Sequence, residues 1–119
     1  MDNYISRILG LARRAGYLVF GTALVRDSIR SRKKPYLVLL ASDASENSYK
    51  RISDSCAFYK TPLAVIDITG EELGKIIGKS GEVVCVALTD EGMATAISEK
   101  IDKTMFIRAD DGESAGGRA

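Results

Sequence analysis

Histidine and tryptophan are missing from this 119-residue chain. Without histidine, the commonest general base and the commonest metal ligand are both lost, so a conventional serine triad is excluded and no metal or cofactor is expected. Cysteine is nearly as scarce. Cys56 and Cys85 each sit inside an apolar periodic segment, and no metal-ligand spacing relates them; the expectation is two buried, reduced thiols rather than a disulfide framework. No apolar run approaches the roughly 18 residues that a membrane span needs. Asp2 and Asn3 occupy the place of a basic leader region, and Arg13–Arg14 would interrupt any apolar one, so no export signal is read and a cytoplasmic location is expected.

What is present is ordinary in amount and uneven in placement. An apolar fraction of 45% with 28% charged residues suits a single globular domain, long enough to fold without a staple. The net charge of +1 conceals a division. Residues 1–34 carry eight basic side chains against two acidic ones, a net of +6, and the remainder carries nine against fourteen, a net of −5. Concentrated positive potential suits a polyanionic partner, although solvated basic helix faces would give the same count.

Periodicity divides the chain into alternating elements. Tyr4 to Ala15 repeats as a helix that Gly16 can end, and Tyr17–Phe20 reads as a short strand. A second helix opens at Gly21–Thr22, with Ala23, Arg26, Asp27 and Arg30 outward, and runs to about Arg32, before Lys33–Lys34–Pro35. The continuous apolar runs Tyr36–Ala41 and Val83–Leu88 predict strands covered on both faces, with Leu63–Ile66 a shorter one between them. The remaining helices are placed at about Glu46 to Tyr59, burying Tyr49, Ile52, Cys56 and Tyr59, at Glu71–Ile77, and from a cap at Asp90 to Ile101. The expected fold is therefore an α/β three-layer α-β-α sandwich around a central mixed, mostly parallel four-stranded sheet, occupying residues 1–103. Residues 104–119 lose all periodicity and are composed like a disordered tail.

Few residues could carry chemistry. Ser42 and Asp43 follow a buried strand, where α/β proteins often place active groups, but no histidine can join them. Gly74, Gly78 and Gly81 lack the strand–loop–helix order of a dinucleotide site and read as caps and turns. The opening of the second helix is more suggestive. Glycine there admits a ligand close to the backbone, where unpaired N–H groups carry the positive end of the helix dipole. Arg13 and Arg14 precede it, and Arg26, Arg30, Arg32, Lys33 and Lys34 follow. A phosphate backbone would meet amides and cations together, as an ordinary glycine helix start would not require.

Four segments in order carry a more specific signal: G-x-L-V-x-G at Gly16–Gly21, L-L-A-S-D-A-S at Leu39–Ser45, E-L-G-K at Glu72–Lys75 and T-D-E-G at Thr89–Gly92. Together they resemble the bacterial YlxQ group of the kink-turn-binding ribosomal protein superfamily over about residues 4–102. The resemblance implies an α-β-α sandwich that binds RNA, ribosomal RNA above all, as a ribosomal or ribosome-associated protein without catalysis. It also implies that RNA is held by the second helix's start and by a loop near the last strand. The implied RNA-binding residues are Gly21, Thr22, Ala23, Leu24 and Arg26, flanked by Arg13, Arg14 and Arg30, with Lys79 and Ser80 from the loop. The helix motif of that superfamily runs roughly G-x-N-E-x-x-K. Gly21 keeps the glycine, whereas Ala23, Leu24 and Asp27 replace the asparagine, glutamate and lysine, and Ser42 stands where a glutamate can face an extruded base. A protein-interaction module on the same fold is the alternative, with Leu24 beside Ala23 forming an apolar docking patch.

Overall fold

A computed structural model describes residues 3–101 and the backbone of 106–107. The chain runs α1 (Asn3–Ala15), β1 (Leu18–Phe20), α2 (Thr22–Arg30), β2 (Leu37–Leu40), α3 (Glu46–Tyr59), β3 (Leu63–Val65), α4 (Gly70–Ile76), β4 (Cys85–Leu88), α5 (Glu91–Ser98) and β5 (Phe106–Ile107).

Three layers form because the strands alternate their side chains between two apolar clusters. Leu37 and Leu39 of β2, with Val86 and Leu88 of β4, face α1, α4 and α5 through Leu9, Leu73 and Ile97. Val38 and Leu40, with Cys85 and Ala87, face α2 and α3 through Val25, Ile29, Ile52 and Cys56. Every residue of β2 and β4 is buried, as continuous apolar strands require. Cys56 and Cys85 are free and buried. Desolvation pushes the Cys56 thiol up to about 12, and the Cys85 thiol is raised by the same cause and by Cys56 beside it. Both therefore stay protonated and unreactive at neutral pH.

The sandwich and the four expected strands are present, and the sheet is mixed, in the order β1-β4-β2-β3-β5. The strand directions differ from the sequence expectation of a mostly parallel sheet. Only β2 and β3 pair in parallel; β1–β4, β2–β4 and β3–β5 are antiparallel. The cause lies in α4, which is seven residues long. After it the chain closes back on the helix's own start, where the Val83 N–H donates to the Gly70 carbonyl at 3.0 Å. The helix thus carries the chain nowhere along the sheet. The next strand must begin at the end where β3 stops, and it slots between β1 and β2 running backwards. The strand pair Phe106–Ile107 with β3 falls inside 104–119; the other residues of that segment lie outside the described ones.

Smaller differences have local causes. α2 stops at Arg30 because Ser31 turns out to φ −80°, ψ 170°, its hydroxyl bonded to the Ser28 carbonyl at 2.7 Å. Tyr49 is 39% exposed rather than buried, because Ile52 and Cys56 alone carry the buried stripe of α3.

Candidate nucleic-acid interface

One end of the sheet gathers the end of β1, the end of β2, the start of β4 and the loops beside them. Gly21 turns the chain from β1 into α2 with φ 95° and ψ 139°, a conformation that essentially only glycine holds without strain. Its N–H donates to the Cys85 carbonyl at 2.9 Å, and its carbonyl accepts from Val25 N–H at 2.9 Å. β4 thereby fixes the direction in which α2 starts.

The opening of α2 differs from those of the other helices with described caps. Ser45, Thr69 and Asp90 each cap their helix with a side-chain oxygen, and each of those first turns holds glutamate. α2 has no side-chain cap and no acidic residue in its first turn. The N–H groups of Thr22, Ala23 and Leu24 precede any intrahelical partner, so the positive end of this dipole is left uncompensated. Ala23 and Leu24 are exposed beside it.

The arginines are distributed unequally around this point. Arg13 lays its guanidinium over the Phe20 ring, 4.9 Å from the centroid, which carries the charge along the edge strand to the residue before Gly21. Sequence reasoning missed Phe20 as that platform, because a cation–ring pair seven positions apart has no signature in the chain. Arg26, expected to point outward, is only partly exposed; its Nε is shielded and finds no hydrogen-bond partner among the described residues. It follows Val25 around the helix and lies at the margin of the buried stripe. Arg14 extends along α1, lining a groove with Arg7, Leu11 and Ile76. Arg30 is two turns further on and pairs with Asp27 at 3.4 Å, both side chains more than half exposed, an interaction weak enough to yield to a phosphate.

The loop of Lys79 and Ser80 lies at the same end of the sheet. Lys79 N–H donates to the Gly74 carbonyl at 2.8 Å, and the loop's exit is tied down where Val84 accepts from Ala41 N–H at 2.9 Å. Lys79 and Ser80 are themselves exposed. Gly74 is the unexpected member. A Cβ there would stand 2.1 Å from the Gly81 carbonyl oxygen, so this glycine seats the loop against α4 instead of merely ending a turn. Asp43 is also structural, accepting from Gly70 N–H at 2.8 Å, and Ser42 N–H donates to the Ile68 carbonyl at 2.9 Å. Among the described residues no cluster of histidine, cysteine or carboxylate side chains fits a metal ion. No helix among them is long and apolar enough to cross a membrane.

Residues 4–98 match the family model of the ribosomal protein L7Ae/L30e/S12e/Gadd45 family. The chain belongs to this family. Within the family it is similar to two proteins called RNA-binding protein YlxQ. The one from Bacillus subtilis is 42% identical over 95 residues, covering 80% of this chain and 92% of the relative; the one from Enterococcus faecium is 35% identical, covering 80% and 88%. The resemblance to the YlxQ group is thus borne out. Among solved structures, a Bacillus halodurans protein of unknown function superimposes with a TM-score of 0.74 at 31% identity, covering 83% of this chain and 96% of that one. A Giardia lamblia 15.5kD RNA binding protein superimposes at 0.69, with 81% and 82% covered. Its 16% identity speaks for the shared fold alone.

Proposed function

We propose that this chain binds structured RNA, ribosomal RNA first among the candidates, as a non-catalytic ribosomal or ribosome-associated protein of the cytoplasm. The observation that carries this reading is the uncapped, acid-free opening of α2 beside the Phe20-stacked Arg13, in a family whose relatives are called RNA-binding. The amides of Thr22, Ala23 and Leu24 hold a phosphate of a sharply bent backbone. Arg13 and Arg26 neutralise its neighbours, Arg30 reaches the continuing strand after leaving Asp27, Arg14 extends the cationic flank along α1, and Lys79 and Ser80 close on the RNA from the loop. Ala23 and Leu24 present no hydrogen-bonding side chain to a base edge, so recognition runs through shape and backbone. A kink-turn is read by its bend rather than by its bases.

Phosphate contact has a measurable signature. With six phosphates neutralised, log affinity falls against log salt with a slope of about −4 to −5, on the order of 0.7–0.9 per contact. Titration of RNA at several salt concentrations checks this, and a flat dependence contradicts it.

A second reading as a protein-interaction module draws on Leu24, 59% exposed, which with Leu18 and Phe20 lines an apolar groove along edge strand β1. Partners that survive nuclease treatment in a pull-down would favour it over RNA.

A further inference from the structure

The basic segment after α2 does not lie at the proposed RNA site. Arg32, Lys33 and Lys34 are at the opposite end of the sheet, a helix length of roughly 13 Å from Gly21, where they line a groove of about 960 Å³ with Tyr17, Tyr36 and Thr89. The sheet builds this groove. Thr89 follows the inner strand β4, and its N–H donates to the Tyr17 carbonyl at 2.9 Å, while Tyr36 N–H donates to the Leu88 carbonyl at 2.9 Å. The two tyrosines therefore flank β4 two strand spacings apart, roughly 10 Å. They are 44% and 49% exposed, so about half of each ring's surface faces solvent.

The cations differ in what holds them. Lys34 is committed to the fold, its ammonium donating to the Tyr59 carbonyl at 3.2 Å and lying 5.5 Å from the Tyr59 ring centroid. Arg32 and Lys33 are exposed and form no ion pair among the described residues. Asp90, next to Thr89, caps Met93 N–H at 3.0 Å and forms no ion pair with either of them. Exposed rings interleaved with uncommitted cations are what a single strand of nucleic acid requires: a face for each base to stack on and a positive charge for its phosphate. A duplex, whose bases are already stacked, would have no use for the rings.

We infer that this groove is a second RNA-contacting surface, which takes a single-stranded segment by stacking bases on Tyr17 and Tyr36 with Arg32 and Lys33 against the phosphates. The inference rests on the reading of the chain as RNA-binding but not on the α2 opening. The probe is a fluorescein-labelled twelve-residue oligouridine, followed by anisotropy, with a hairpin of the same length as the structured comparison. Tyr17→Ala with Tyr36→Ala weakens oligouridine binding by about 100-fold, on the order of tenfold per ring. Tyr17→Phe with Tyr36→Phe retains it, because the ring and not the hydroxyl does the stacking. Arg32→Ala with Lys33→Ala reduces the salt slope by about 1.4, roughly 0.7 for each contact on a single strand. Gly21→Asp leaves oligouridine binding unchanged, so a failure of the α2 site is distinguishable from a failure of this one. Equal binding of oligouridine by wild type and the double alanine variant overturns the inference. So does equal competition by heparin and oligouridine that ignores the tyrosines, or capture of a protein partner through this groove with no binding of oligouridine.

Discussion

Gly21→Asp is expected to lower affinity for structured RNA by on the order of 100-fold while changing stability little. Aspartate is a favoured N-cap residue, and its carboxylate would take the amides of Ala23 and Leu24 from within the chain. A phosphate would then face a filled site and a like charge, forfeiting a charge-assisted interaction of roughly 1.5–3 kcal/mol. The new cap contributes about 1 kcal/mol, which offsets much of the roughly 1–3 kcal/mol of strain for a side chain in this backbone conformation. Nothing lies within 4 Å of the added Cβ, so that cost is conformational and not steric. Gly21→Ala has the strain without the charge: it lowers stability with little loss of RNA affinity. Binding isotherms at one salt concentration, beside thermal unfolding of both variants, separate charge from strain.

Gly74→Ala should destabilise the protein by about 2 kcal/mol. Alanine in a helix is favoured over glycine by about 1 kcal/mol, so the simple expectation from α4 alone is a gain. The Gly81 carbonyl oxygen reverses it, because at 2.1 Å from the new Cβ it has to retreat by more than an ångström. That oxygen belongs to a loop held at both ends, by Lys79 N–H on Gly74 and Val83 N–H on Gly70. Overpacking of roughly 1–3 kcal/mol and the loss of one or two hydrogen bonds at about 1 kcal/mol each outweigh the helix gain. At about 4–8 °C per kcal/mol for a domain near this size, the melting temperature falls by roughly 10 °C. Gly10→Ala serves as the control. Its Cβ would meet the Ile76 carbonyl oxygen at 3.6 Å, an ordinary contact, so it stabilises α1 by up to about 1 kcal/mol. A rise in melting temperature for Gly74→Ala would mean that the loop is not seated on α4 as described.

Much of the fold can be read from the chain because burial leaves a period. α3 begins and ends where its apolar spacing places it, and the unbroken runs around Leu37–Leu40 and Cys85–Leu88 mark the two strands covered on both faces. Direction leaves no such mark. β4 reads identically whether it runs with β2 or against it, and the deciding contact, Val83 to Gly70, depends on how tightly the loop after α4 closes.

The candidate site shows the same division. The glycine helix start is visible in Gly21–Thr22, and its uncapped state follows from the N-cap residue itself, since glycine has no side chain to accept from the first-turn amides. The basic count over residues 1–34 could not be apportioned. A linear tally treats Arg13, Arg14, Arg30 and Arg32–Lys34 as one cluster. The fold instead sends Arg13 to Phe20, Arg14 along α1, Arg30 to Asp27 and the last three to the tyrosine groove.

In the proposed function, RNA meets the chain at the first-turn amides of α2. A titration of nitrogen-15-labelled protein with a kink-turn RNA, beside a straight duplex of equal length and composition, reads those amides one by one. Thr22, Ala23 and Leu24 are expected to undergo the largest shifts, with the Arg13 side chain following, and the bent RNA to bind more tightly than the straight one. Binding that moves other residues while these three amides stay in place would contradict it.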